Sequence, residues 1–212
     1  ANQEYNKALG LEPNKQFGRT EFNRAKANAN ADYERLLKNR EVTFDDSFFG
    51  NLEGILARQQ QLSDTGITFG QSRAILGALE KITGIPKQFK EAIGSLPRIG
   101  EEEATARQSH KALSLLNEML PVLKQQGAIK MSAKDYNEIR SILGDAAMRQ
   151  SSPRNARLFR QMQGEFDRMA DQSMPEIAKD LGALRQRYEA LKTLEEAQLQ
   201  AGVDVGMIPP DA

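Results

Sequence analysis

Near the end of the chain, Ile177, Leu181, Leu184, Tyr188 and Leu191 recur at spacings of 4, 3, 4 and 3. That rhythm averages about 3.5 residues, the period of helices packed nearly parallel with interlocking side chains. Similar stripes run through the rest of the sequence, so helical periodicity constrains the fold more than any other feature. It predicts an all-α protein: antiparallel helical bundles of about seven or eight helices, compact or elongated.

The punctuation between stripes supports the same reading. Gly10 and Pro13 stop a short helix over 2–9. Thr20 is placed to cap a second helix, with Phe22, Ala29, Tyr33 and Leu36 on one face and an end near Arg40. Val42 and Phe44 alternate with polar residues and predict a short extended piece. Asp45 or Asp46 then caps a helix carrying Phe48, Leu52, Ile55 and Gln59. Thr68 with Gln71 fits a reciprocal capping pair, followed by Ile75, Leu79 and Ile82 and a stop at Gly84. Pro86 opens a short helix with Phe89 and Ile93, closed by Pro97.

From Glu101 a long helix carries Leu113, Leu116, Leu120 and Leu123. Pro121 inside it removes a backbone hydrogen bond and predicts a kink or a break. After Gly127, Ser132 caps a helix whose third residue is Asp135, with Met131 set to pack on Tyr136. Tyr136, Ile139 and Leu143 form its buried face, and Lys134, Asn137, Glu138 and Arg149 its exposed one. Pro153 begins the next helix, with Phe159, Met162, Phe166 and Met169 inward. Ser173, Pro175 and Glu176 are expected to start the last. The glycines and proline of GSLPRIG (94–100) mark the expected joint between an N-terminal subdomain, 1–98, and a C-terminal bundle, 99–201. The tail GVDVGMIPPDA (202–212) is expected to be loose. With no initiator Met, the opening ANQEYNKALG reads as the interior of a longer protein.

Several function classes lose their residues at this point. The chain has 212 residues, no Cys and one His, which removes disulfides, thiolate zinc sites, iron–sulfur clusters and Cys nucleophiles. His110 lies among polar neighbours and reads as a surface residue. Glu101, Glu102 and Glu103 sit where a helix dipole favours negative charge. Asp45 and Asp46 lack the surrounding loop of a calcium site. Phosphate-loop, dinucleotide, zinc-protease and serine-hydrolase motifs are absent. The residues therefore point to no enzyme, no cofactor, no metal and no small-molecule ligand. No apolar run approaches the roughly 18–20 residues that span a bilayer.

Charge separates the remaining possibilities. Lys and Arg number 29, Asp and Glu also 29, and neither half of the chain is a polycation. The electrostatic footprint of a dedicated nucleic-acid binder is missing. The one cationic run is Arg149, Arg154, Arg157 and Arg160, with no acid between them. Phosphate contact and a solvated helix face are its two readings.

Three segments carry a family resemblance: MSAKDYNEIRSILGDAA, NARLFRQMQGEFDRMADQSM and LRQRYEALKTLEEA. Their matching positions are Ser132, Tyr136, Ile139, Arg140 and Ser141; Phe166 and Asp167; and Arg185, Tyr188, Leu191, Lys192 and Thr193. Together with NKALGLEP and DYERLLKNREVTFDDSFFGNLEGI nearer the start, they resemble the helical region of tailed-bacteriophage internal virion, or DNA-ejection, proteins and their prophage relatives. Residues 67–110 fit that pattern least. The resemblance implies a structural protein of the virion, housed in the capsid interior or tail and present in the host cytoplasm during assembly. Its partners would be other virion proteins or further copies of itself as an oligomer, and it would help move DNA across the host envelope. Some members carry a peptidoglycan-cleaving domain, and nothing here matches one. The alternatives are a prophage-encoded adaptor or scaffold, a module touching nucleic acid through Arg149–Arg160, and a lytic enzyme.

Overall fold

A computed structural model describes residues 19–62, 67–82, 84–97, 106–150 and 152–200. The expected helix at 2–9, the Glu101–Glu103 cluster and the tail 202–212 lie outside them. Among the described residues the protein is predominantly all-α, with eight helices and one small two-stranded sheet. In chain order these are α1 (Arg19–Leu37), β1 (Glu41–Phe44), α2 (Asp46–Leu62), α3 (Phe69–Leu79), α4 (Lys87–Gly94), α5 (Ala106–Gln125), β2 (Ile129–Ser132), α6 (Ala133–Met148), α7 (Pro153–Ser173) and α8 (Ala178–Gln200). No helix among the described residues is long and apolar enough to cross a membrane.

The chain divides into two compact units, and not at residue 98. One unit is Asn39–Met174, and the other joins the two flanking segments, 19–38 and 175–200 as described. The expected bundle over 99–201 is accordingly redistributed. Helices α5, α6 and α7 share the larger unit with α2, α3 and α4, and α8 pairs with α1 in the smaller.

In the larger unit the helices close a ring. α6 packs on α7, α7 on α2, α2 on α5, α5 on α3 and α3 back on α6, while α4 rests on α5 and α3. The apolar stripes face inward. Phe44, Phe48 and Phe166 form an aromatic cluster with centroids 4.6–5.4 Å apart, and Phe49 joins it 5.0 Å from Phe48. All four rings are fully buried. Each such side chain contributes about 1.5–3 kcal/mol by leaving water, and the edge-to-face contacts add to that. On α5 the buried residues are Ala112, Leu115, Leu116, Met119, Leu120 and Leu123, and Leu113 is only half-buried.

β1 runs antiparallel to β2, pairing Glu41 with Ser132, Val42 with Met131, Thr43 with Lys130 and Phe44 with Ile129. Val42, Phe44, Ile129 and Met131 point into the core, as strand alternation requires. The extended piece at 42–44 was legible, whereas its partner strand was not expected. Ser173 differs from its expected role as well. It ends α7, where its hydroxyl accepts from the Thr43 N–H at 2.9 Å and so ties α7 to β1. The last helix starts at Ala178 instead.

Local signals account for the helix ends. Thr68 and Gln71 form the reciprocal cap of α3, and the Ser132 hydroxyl accepts from the Asp135 N–H at 3.1 Å to cap α6. Asp45 Oδ1 accepts from the Phe48 N–H at 3.0 Å ahead of α2. Thr20 lies inside α1 rather than before it. Pro121 breaks nothing: α5 continues through it to Gln125. It sits in the last turn and a half, on the exposed side, where few later hydrogen bonds depend on the missing donor. Gly127 follows with φ +76°, a left-handed backbone that only glycine adopts without strain.

In the smaller unit α1 and α8 lie side by side and run in opposite directions. Lys26 Nζ meets Glu195 at 3.2 Å, Arg187 meets Asp32 at 3.2 Å, and the Tyr33 and Tyr188 rings stack edge-on at 5.9 Å. Phe22, Ala25, Ala29, Leu191 and Leu194 form the seam, with two alanines that let the backbones approach.

Candidate functional site

Between α6 and α7, Tyr136 is fully buried and its hydroxyl donates to Asp167 Oδ1 at 2.6 Å. Arg140 Nε donates to the same carboxylate, at 3.0 Å to Oδ1 and 3.3 Å to Oδ2. Gln163 adds a bond to the Arg140 carbonyl at 3.2 Å. Tyr136, Ile139 and Arg140 share a face of α6 through their three- and four-residue spacing, which aims the polar pair at one acid across the seam. Arg140 was not among the residues expected inside. A charged residue reads as solvated unless its partner is known, and that partner is on another helix.

The other seams carry similar links. Asn51 on α2 donates to Glu165 on α7 at 2.9 Å, and the buried Gln59 donates to Asn155 at 3.4 Å. Lys124 on α5 meets Glu53 on α2 at 3.3 Å. Lys81, just past α3, meets Glu138 on α6 at 3.2 Å, so Glu138 and its half-buried neighbour Asn137 are less open than expected. Asp45, with its Ser47 hydroxyl bond at 2.6 Å, is held below the ordinary carboxylate range by that bond and by the Phe48 N–H; burial opposes the shift.

The four arginines singled out in the sequence do not form one cluster. Arg154, Arg157 and Arg160 are exposed, and their three-residue spacing places them on one side of α7. Arg149 is exposed at the C-terminal cap of α6 and faces a groove of about 490 Å³ between α3 and α6. Gly70, Arg73, Ala74 and Gly77 form one wall of that groove. Ile142, Asp145 and Ala146 form the other, leading to Arg149 and Gln150. Arg73 was not singled out by the sequence, since a lone arginine in a helix carries no signal.

A second groove of about 490 Å³ separates α4 from α5, and exposed His110 lines it with Arg107, Lys111 and Glu118. No group of three or more His, Asp or Glu among the described residues could hold a metal ion. What the fold and these seams define is a helical protein whose polar residues bridge helices. No family model matches the chain, and no curated protein or solved structure matches it significantly.

Proposed function

We propose that this chain is a non-enzymatic structural element of a bacteriophage virion, working through helix packing and protein–protein contact during genome ejection. The observation that supports this reading is the use made of its reactive side chains. Tyr136, Arg140 and Asp167 bond one helix to another, as do Asn51 with Glu165 and Lys124 with Glu53. The Tyr136–Arg140–Asp167 network is largely buried, and a satisfied network there specifies one arrangement of α6 on α7; the other two pairs link helices at the surface. The sequence resemblance to internal virion proteins supplies the setting. The experiment is immuno-electron microscopy of purified virions with an antibody to this chain. Label on intact or opened particles is expected, and its absence from both rejects the virion assignment.

A second reading, contact with DNA, is favoured by the exposed side of α7 that carries Arg154, Arg157 and Arg160. Neutralising phosphates with arginines makes affinity fall steeply with salt. Binding that ignores salt, or no binding to duplex DNA, removes this reading.

A further inference from the structure

We infer that the groove between α3 and α6 is a docking site for an acidic amphipathic helix of a partner protein. The inference rests on the protein-contact reading above and adds where the contact is made and what chemistry it selects.

Three features carry it. First, the walls have the shape of a helix seat. Gly70, Ala74 and Gly77 follow at four and three residues on α3, and Ile142 and Ala146 at four on α6, so two helices present facing strips of small and apolar side chains. A Cβ at Gly70 would meet nothing within 4 Å, and one at Gly77 only the tip of Arg73 at 3.7 Å, so the α3 wall leaves open space.

Second, the charge is uncompensated in one sign. Arg73 and Arg149 both line the groove, and neither has a carboxylate partner among the described residues. Arg73 Nε is buried without a hydrogen-bond acceptor, and the Nη1 tip of the same guanidinium lies beside Gly77 on the groove wall, where a carboxylate seated in the groove would meet it. Asp145, the acid on the wall, is already engaged within the chain.

Third, the lining suits a protein better than a nucleic acid. It holds no aromatic ring on which a base could stack, and Asp145 would repel a continuous polyanion. Discrete carboxylates on a helix can meet Arg73 and Arg149 while avoiding Asp145.

The test uses the full chain and defined probes. These are an Ala/Glu helical peptide of about 18 residues, or about five turns, its Gln counterpart, and an oligothymidylate of similar length. Titration by fluorescence anisotropy should show the Glu peptide binding, weakening with added salt, and outcompeting the other two. Arg73→Gln should weaken it about tenfold, the size of one charge-assisted hydrogen bond. Arg149→Gln, at the rim, should weaken it about threefold. Gly70→Leu should block it by crowding the α3 wall, whereas Arg157→Gln on α7 should leave it unchanged.

Failure of the Glu peptide to bind, or binding indifferent to Arg73→Gln, overturns the site. Preference for oligothymidylate overturns it in favour of nucleic acid. Circular dichroism of each variant identifies any that fails to fold, and Arg149→Gln, altering an exposed side chain, keeps the test decisive. Virion labelling is scored separately, so loss of the virion assignment and loss of this groove are distinguishable outcomes.

Discussion

Replacing Asp167 with alanine should destabilise the larger unit by about 3 kcal/mol. The carboxylate accepts a bond from the Tyr136 hydroxyl and a bifurcated one from the single N–H of Arg140 Nε, shared between Oδ1 and Oδ2. Its removal deprives a guanidinium with 8% side-chain exposure of that counter-charge. Breaking a buried ion pair from one side costs about 3–5 kcal/mol. The low end applies because Asp167 keeps 21% exposure, so water already screens part of the interaction. Tyr136→Phe loses one hydrogen bond and should cost about 1–1.5 kcal/mol. The two effects share a partner, so the double variant should fall short of their sum by at least about 0.5 kcal/mol. Urea titration followed by circular dichroism at the helix band measures all three. Replacing Tyr136, Arg140 and Asp167 together by Phe, Met and Leu should recover most of the loss, since that leaves neither a stranded charge nor a stranded hydroxyl. An Asp167→Ala variant within about 0.5 kcal/mol of the parent, or strict additivity with Tyr136→Phe, would refute the reasoning.

Three further outcomes follow from local geometry. Gly164 lies inside α7 with ordinary φ, and a Cβ there would meet nothing within 4 Å, so Gly164→Ala should stabilise by about 0.5–1 kcal/mol in the same titration. Thr68→Val removes the side-chain half of the α3 cap and should cost about 1 kcal/mol, read as a lower urea midpoint. Asp45 is held below its unfolded value of about 3.9, so its contribution to capping α2 is full above that pH and fades as pH falls through the lower folded value. Asp45→Asn should therefore flatten the acid limb of a stability–pH curve while leaving neutral-pH stability within about 0.5 kcal/mol.

The parts of the fold that were legible in the sequence are those set by neighbours along the chain. Thr68 with Gln71 and Ser132 with Asp135 are three residues apart, so their caps could be read directly. The inward stripe Phe159, Met162, Phe166 and Met169 follows from helical spacing alone. What could not be read depends on distant partners. The four residues of β2 are too short for alternation to separate strand from loop, and they become a strand only by pairing with β1. Ser173 has the residue type of a cap, and the Thr43 N–H across the fold takes its hydroxyl instead. Arg140 looks solvated until Asp167 is placed beside it. The groove between α3 and α6 was missed for the same reason: Arg73 and Arg149 gain meaning only when two helices are laid together.

The pairing of α1 with α8 has a mechanical consequence. Lys26 sits opposite Glu195, and Asp32 opposite Arg187. Residue 19 therefore lies at the same end of the pair as residue 200. Tension applied through these two points would peel the helices apart from that end, breaking the Lys26–Glu195 bridge before the Asp32–Arg187 bridge, as teeth part on a zip. Helices loaded that way yield one contact at a time under a small force, whereas the same seam pulled lengthwise would have to give all at once.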